Sequence, residues 1–314
     1  MTETRSTNSL ERNQDLVVAG VYERQIGASL ERVWENVYDW EHLPYLHSEA
    51  FTSIDVVDSG DWGWRARVGM RGGSEATIEL ITNRADSENP HYVARTVEGA
   101  GAPSEIWTSL DPNSTDQTGI RVEFCVAPMP EEALRKLGKG MIGLYTLLWT
   151  QDEAMMQART LALASRDGRS GDGAGVRDGA DFEVGAATGQ PGETIVLGKV
   201  DELRSRVPLV VELSGHSFRI VEVEGKFVAH STECPHRLGP LGECEVESGR
   251  LVCPWHGYAF DLRSGRSADG HRLRLRPAPE VVVDSEQRVL VVPLTNEHIR
   301  DLETSGSKDG HEPS

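Results

Sequence analysis

Two short segments near the C-terminus of this chain carry residues with distinctive chemistry. Cys234 and His236 lie in the first segment, and Cys253 and His256 lie in the second, which gives the spacing C-x-H-x16-C-x-x-H. Thiolates suit soft metals, and imidazoles suit a range of transition metals and some iron–sulfur clusters. The sequence therefore predicts a metal centre held between two loops.

The residues around these ligands favour one kind of centre. Zinc also takes four Cys and His ligands, but its usual pattern pairs Cys-x-x-Cys with a second Cys or His pair. The segments 234–241 (CPHRLGPL) and 253–261 (CPWHGYAFD) resemble the cluster loops of Rieske ferredoxins and Rieske oxygenases. The resemblance implies a [2Fe–2S] cluster in which the two cysteines hold one iron and the two histidines hold the other.

The other cysteines do not indicate a disulfide framework. Rieske proteins of the cytochrome bc type carry an extra, disulfide-bonded cysteine in each loop, and Gly239 and Trp255 stand at those places here, so the resemblance is to the lower-potential branch. Cys244 lies between the loops at no ligand spacing. Cys125 lies in an apolar stretch and is expected to be buried in a strand.

A second group of polar residues lies near the N-terminus and follows the pattern N-x-x-D-x-x-H-x4-H. This pattern resembles the motif by which Rieske oxygenases supply two histidines to a mononuclear iron. The resemblance implies that His42 and His47 are iron ligands and that Asn36 and Asp39 are the polar pair opening the motif. It also implies that Asp39 connects the two centres by hydrogen bonds to His42 and to His256.

The third ligand of such an iron is expected on a long helix that ends the first domain. Asp152 continues an apolar stripe at helical spacing, so its carboxylate is expected to face the interior, where it needs a metal or another partner. Glu153 is the alternative. Two histidines and one carboxylate on one face of Fe(II) leave positions open for oxygen and substrate. The stripe consists of Leu134, Leu137, Met141, Leu144 and Leu148.

The N-terminal motif also has a simpler interpretation. Asp39 and His42 are three positions apart and could form a hydrogen-bonded pair on one helix face. His47 follows Pro44 and could lie in a loop. Asn36, Asp39 and His42 lie off the apolar stripe of the first predicted helix, on a face that a lone domain would expose. An iron site there would need to be covered by the terminal helix, by the local loop or by a neighbouring subunit.

Composition divides the chain of 314 residues into two domains. Residues 165–192 are rich in Gly, Asp, Arg and Ala without an apolar period, which predicts a flexible linker. We expect a first domain over residues 15–164 and a Rieske domain over residues 193–296. Disordered tails are expected over residues 1–14 and 297–314.

The first domain is predicted to contain seven strands, a short helix that starts near Ser29 and a long terminal helix from Pro130 to about residue 164. The strands are expected at residues 16–26, 51–57, 62–70, 76–81, 92–97, 106–110 and 120–126. This order resembles the START or Bet v 1-like (SRPBCC) helix-grip fold, in which a bent antiparallel sheet wraps a long helix and leaves a cavity.

The second domain is predicted to be all-β, with strands at residues 209–213, 218–223, 227–230, 281–283 and 289–292. The fold class of the whole chain is therefore expected to be α+β. In the oxygenase family the Rieske domain comes first, whereas here it comes last.

The charge balance excludes some classes of partner. The 50 acidic residues exceed the 32 basic residues, which gives a net charge of −18 and argues against binding to nucleic acid or to an anionic membrane. The N-terminus is polar, and the longest apolar run, residues 141–149, is too short to span a bilayer. We therefore expect a cytoplasmic protein.

The resemblance implies a Rieske-type non-haem iron oxygenase that hydroxylates or otherwise oxidises a small hydrophobic or aromatic substrate with O2. Electrons would come from NAD(P)H through a separate reductase, with or without a ferredoxin between them. In the family the aspartate connection crosses between subunits, so the resemblance also implies a homo-oligomer, with a trimer favoured.

Two other functions fit the same residues. The chain could be an electron-transfer Rieske ferredoxin fused to a metal-free ligand-binding domain. It could instead be a helix-grip cyclase or hydratase with Asp39 and His42 as an acid–base pair and the cluster as a redox sensor. An oxygenase requires about three irons per chain, whereas both alternatives require about two.

Overall fold

The computed structural model describes residues 10–84, 88–168, 188–189 and 193–294. The chain divides into two compact units, with the boundary after Thr160. The first contains one large antiparallel sheet with helices, and the second contains mainly strands. The predicted α+β fold class is confirmed.

In the described part of the first unit, seven strands form a single antiparallel sheet. They are β1 (Val17–Ile26), β2 (Phe51–Gly60), β3 (Gly63–Met70), β4 (Glu75–Asn83), β5 (His91–Gly99), β6 (Ser104–Pro112) and β7 (Thr118–Val126). The order across the sheet is β1-β7-β6-β5-β4-β3-β2, so β2 to β7 form a meander that β1 extends by pairing with β7. All seven predicted strands are present, with small shifts at their ends.

The helices of this unit are α1 (Leu30–Val37), the very short α2 (Leu43–Leu46) and all but the last eight residues of the long α3 (Glu131–Gly168). A 3₁₀ turn (Trp40–His42) precedes α2. Ser29 caps α1 as predicted, since its hydroxyl accepts a hydrogen bond from the Arg32 amide at 3.3 Å. Asp39 lies after α1, with non-helical φ and ψ of −90° and 82°. Asp39 and His42 therefore do not share one α-helical face, and that part of the simpler interpretation is wrong.

The buried face of α3 differs from the predicted stripe. Leu137 and Leu144 are 38% and 37% exposed, whereas Trp149 and Met156 are buried and join the main core between the helix and the sheet. Since α3 is apolar on more than one side, several stripes fit a 3.6-residue period, and only packing against the sheet selects among them. Asp152 is buried, as predicted.

The part of the chain that the structure describes extends into the predicted N-terminal tail and into the predicted linker. Leu10 and Leu16 pack on a small cluster that includes Trp107 and the buried Cys125, and Arg95 donates to the Glu11 carbonyl at 2.7 Å. These contacts begin at residue 10, earlier than predicted, and residues 1–9 lie outside the described part. Helix α3 extends to Gly168, beyond its predicted end. Except for 188–189, the rest of the predicted linker is outside the described residues, as is the predicted C-terminal tail.

The second unit contains three small sheets in its described part. One has the order β12-β11-β10-β8, one β13-β14-β15 and one β16-β17-β9. The strands are β8 (Thr188–Gly189), β9 (Ile195–Lys199), β10 (Leu209–Leu213), β11 (His216–Val223), β12 (Lys226–Ser231), β13 (Val246–Glu247), β14 (Arg250–Val252), β15 (Ala259–Asp261), β16 (Glu280–Val283) and β17 (Arg288–Val292). The five predicted strands are β10, β11, β12, β16 and β17.

Six elements of this unit were not predicted, namely the strands β8, β9, β13, β14 and β15 and the short helix α4 (Val200–Arg204). Strand β9 completes a sheet by pairing with β17. The two segments with Cys and His ligands form the connections β12–β13 and β14–β15. Among the helices within the described ranges, none combines the length and the apolar character that crossing a membrane would require.

Candidate metal centres

The two loops with the Cys-x-His and Cys-x-x-His sequences have the same backbone architecture. In the first loop, the Cys234 amide donates to the Gly239 carbonyl at 2.8 Å, and the Leu238 amide donates to the Cys234 carbonyl at 3.0 Å. The second loop repeats both bonds, starting from the Cys253 and Gly257 amides. Leu238 and Gly257 have φ values of 65° and 70°, so each loop turns through a left-handed residue at the equivalent position.

These turns bring the four predicted ligands of the loops together. Cys234 and Cys253 are completely buried and hydrogen-bonded to each other, which lowers the pKa of Cys253 to about 5 and raises that of Cys234. The imidazole of His256 also hydrogen-bonds Cys253. The rings of His236 and His256 meet edge to face, with centroids 4.6 Å apart. Two sulfur donors and two imidazoles are therefore adjacent, which is the donor set of a Rieske cluster.

The residues beside these ligands also fit a cluster. A Cβ at Gly239 would lie 2.7 Å from the Cys253 sulfur and 3.2 Å from the Trp255 ring, so only glycine leaves the sulfur free there. The Tyr258 ring packs with its centroid 4.5 Å from that of His236, which restricts rotation of the imidazole. The loops thus supply both the ligands and the space around them.

A second group of candidate ligands lies within the first unit. His42 ends the 3₁₀ turn, His47 follows α2, and Asp152 comes from α3. One ligand atom from each lies within 4.8 Å of the others. The His47 Nε2 atom is 3.0 Å from the Asp152 Oδ1 atom, and the His42 Nε2 atom is 3.5 Å from the same oxygen. The three residues inferred from the oxygenase resemblance are therefore brought together.

The face that carries the N-terminal motif is not exposed, which corrects the expectation for a lone domain. Asn36, Asp39 and His42 are only 9%, 5% and 3% exposed. The reason is that α1 stops at Val37 and the chain turns, so that the motif does not continue along one helix face. The turn places His42 against Asp152 of α3, which provides the cover that an iron site would need from the terminal helix.

Burial and hydrogen bonding shape the electrostatics of this site. Burial opposes a charged His47, but the hydrogen bond and the charge of Asp152, together with the contacts of Gln151 and Glu49, outweigh that effect and raise the pKa of His47. The other ring nitrogen, Nδ1, lies 2.8 Å from the Gln151 Oε1 atom. Burial also raises the pKa of the phenols of Tyr92 and Tyr145, and the charge of Asp152 adds to both shifts, so both phenols stay protonated.

The alternative carboxylate, Glu153, has a different set of partners. It forms an ion pair with Arg24 and accepts a hydrogen bond from the Gly27 amide at 2.7 Å. Asp152 is therefore the carboxylate that faces the histidines. Two imidazole nitrogens and one carboxylate oxygen suit a non-haem Fe(II), so the residues present fit the metal that the resemblance implies.

Comparison with known proteins identifies the second unit. Residues 193–278 match the family model described as Rieske [2Fe-2S] domain. This match favours the cluster over zinc. The N-terminal part resembles a START superfamily protein from Mycobacterium smegmatis, with 16% identity, a TM-score of 0.37, and coverage of 45% of this chain and 97% of that chain.

The curated relatives match only a short part of the chain. Apoptosis-inducing factor 3 of Mus musculus is 37% identical over 59 residues, which are 19% of this chain and 10% of that protein. The chloroplastic pheophorbide a oxygenase of Oryza sativa subsp. japonica is 38% identical over 65 residues, 20% of this chain and 12% of that protein. The ferredoxin component of the alkene monooxygenase system of Xanthobacter autotrophicus is 28% identical over 99 residues, 31% of this chain and 81% of that protein.

The chain thus spans about a tenth of the length of the first two of these relatives.

Proposed function

We propose that this chain is a Rieske-type non-haem iron oxygenase. The observation that carries the proposal is the convergence of His42, His47 and Asp152, whose donor atoms lie within 4.8 Å of one another in the interior of the first unit. Burying a carboxylate costs free energy unless it is paired or bound to metal, and two imidazoles beside it form a known iron-binding set. A Rieske domain in the same chain supplies a source of single electrons.

In this proposal each residue of the site has a defined task. His42 and His47 present their Nε2 atoms, and Asp152 presents one carboxylate oxygen. When bound, a mononuclear Fe(II) would supply the activation of O2 for oxidising a small hydrophobic or aromatic substrate. Trp149 and Met156, one helical turn to either side of Asp152, are buried and limit water on that side of the carboxylate.

The wider features of the reaction remain predictions from the resemblance. These are the delivery of electrons from NAD(P)H by a separate reductase, with or without a ferredoxin, the trimeric assembly and the connecting role of Asp39. The burial of Asp39 beside the turn that carries His42 is consistent with a role near the iron ligands.

One observation favours a second candidate function. The similarity to the alkene monooxygenase ferredoxin covers 81% of that protein, so the second unit resembles a complete electron carrier. In this alternative the first unit binds a ligand without metal, and the cluster serves a separate enzyme.

The number of irons per chain separates the two functions. The full chain is reconstituted with Fe2+ and sulfide, freed of loosely bound metal, and assayed for iron and for the visible spectrum of the cluster. We expect about three irons per chain. The double variant His42→Ala, His47→Ala should lose one iron and keep the spectrum.

His91→Ala is the matched control, because His91 hydrogen-bonds a local carbonyl, that of Asn89, and stacks on Trp107. The milder variants His42→Asn and His47→Asn serve if the double variant does not fold. A parent with about two irons, unchanged in the variants, would reject the oxygenase and leave the electron carrier.

A further inference from the structure

We propose that Gln151 is a positioning residue that keeps the proton of neutral His47 on Nδ1, so that the Nε2 lone pair faces the metal site. This inference rests on the proposed function, since it concerns metal binding by Nε2. Gln151 directly precedes Asp152 on α3, and its half-buried side chain extends between the site and the surface.

The hydrogen bonds around Gln151 define which of its atoms faces the histidine. Its Nε2 atom donates to the Glu49 carboxylate at 3.4 Å, and its Oε1 atom lies 2.8 Å from His47 Nδ1. A carboxylate only accepts hydrogen bonds, so it selects the NH2 group of the amide and turns the carbonyl oxygen toward the imidazole. Since that oxygen also only accepts, His47 Nδ1 must carry a hydrogen.

This contact matters because Asp152 competes for the same proton. A neutral imidazole carries one hydrogen, on either Nδ1 or Nε2. The Asp152 Oδ1 atom lies 3.0 Å from His47 Nε2 and would stabilise the tautomer with hydrogen on Nε2. In that tautomer the Nε2 atom has no free lone pair with which to bind a metal. Gln151 stabilises the other tautomer from the opposite side of the ring. It therefore favours the form of His47 that can act as a ligand, and it fixes the ring plane as well.

Variants at one position separate this role from simple packing. Gln151→Met keeps the length of the side chain but has no acceptor, and Gln151→Asn keeps the amide but is one methylene too short to reach Nδ1. Gln151→Glu restores an acceptor at the original distance. Gln157→Met is the matched control, because Gln157 is exposed on the same helix and its amide contacts Glu153 rather than a histidine.

The test is the affinity of the full chain, with its cluster in place, for Co2+, measured by competition with a chromophoric chelator. We expect Gln151→Met and Gln151→Asn to weaken Co2+ binding about 10–100-fold, as the loss of an outer hydrogen bond to a metal ligand does. Gln151→Glu should stay within a few-fold of the parent, and Gln157→Met should bind as the parent does. The visible spectrum of the cluster should not change in any of them.

A second readout follows the proton directly. In metal-free protein with 15N-labelled histidine, at alkaline pH where the ring is neutral, the His47 signals, assigned with His47→Asn, should show hydrogen mainly on Nδ1 in the parent and a larger share on Nε2 in Gln151→Met. A change of packing alone would not move this proton.

The outcomes separate two failures. A parent that binds Co2+ through His42 and His47, with unchanged affinity and tautomer in Gln151→Met, overturns the role of Gln151 and leaves the iron site intact. A parent that binds no Co2+, or binds it equally well after both histidines are replaced, overturns the proposed function and this inference together.

Discussion

His47 and Asp152 are separated by 105 positions in the chain, yet the Nε2 atom of one lies 3.0 Å from the Oδ1 atom of the other. Both side chains are buried, and His42 Nε2 approaches the same oxygen at 3.5 Å. Such an arrangement requires α3 to cover the turn before α2, so the site forms only when the first unit is folded.

The adjacent carboxylates of α3 are expected to respond differently to loss of charge. Asp152→Asn should lower affinity for the mononuclear iron by more than the roughly 10–100-fold of an outer-shell change, because the residue would be a direct ligand. Glu153→Gln should leave iron content unchanged and lower the free energy of unfolding by about 1 kcal/mol, because it weakens the partly exposed contact with Arg24. Metal analysis of both variants measures the iron content, and urea titration measures the free energy of unfolding. Equal iron loss in the two variants would contradict the assignment of Asp152 as the ligand.

Metal binding by the first unit should depend on pH. Hydrogen bonding to Asp152 raises the pKa of His47, so the metal-free protein holds a proton on this ring at pH values where a free histidine, with a pKa of about 6.5, has lost it. A metal must displace that proton, and Co2+ affinity should therefore rise with pH through the raised pKa.

The stability of the metal-free protein should change in the opposite direction. The contribution of the charged pair is fully present below about pH 6.5 and is lost as the pH rises through the raised pKa of His47. Measuring the free energy of unfolding at a series of pH values, for the parent and for His47→Asn, isolates the contribution of the charged pair. Identical pH profiles for the two proteins would exclude it.

Gly239 should be required for cluster insertion. In Gly239→Ala the new methyl would lie 2.7 Å from the Cys253 sulfur, so the sulfur or the loop must move, and we expect a lower ratio of cluster absorbance to protein. Gly242→Ala is the matched control, since its Cβ would meet only Thr232 at an ordinary 3.5 Å. Full cluster content in Gly239→Ala would show that the loop tolerates the displacement.

Two glycines of α3 should have opposite effects on stability. A Cβ at Gly138 would collide with the carbonyl of Ala19 in β1, so Gly138→Ala should destabilise the first unit by about 1–3 kcal/mol. A Cβ at Gly140 meets nothing within 4 Å, so Gly140→Ala should stabilise it by about 0.5–1 kcal/mol through the higher helix propensity of alanine. Thermal unfolding of both variants shows whether each substitution raises or lowers stability. A stabilised Gly138→Ala would contradict the close approach of α3 to β1.

Much of the fold could be predicted from local patterns. The strands of the first unit were found because each alternates or runs apolar over a span bounded by turns. Strand β9 was missed because Gly198 interrupts its short apolar run, and helix α4 was missed because five residues are too few to show a 3.6-residue period. The prediction of the inner face of α3 was only partly correct, because Leu137 and Leu144 fit a helical stripe as well as the buried residues do.

The sequence by itself determined which four residues are the candidate cluster ligands, because Cys234, His236, Cys253 and His256 lie in two short loops whose turns are closed by hydrogen bonds between near neighbours. Only the tertiary structure decided that Asp152, rather than Glu153, faces the histidines, and that Gln151 reaches His47. Spacing along a helix tells which residues share a face. What that face meets depends on packing between segments more than a hundred residues apart, as for His47 and Asp152.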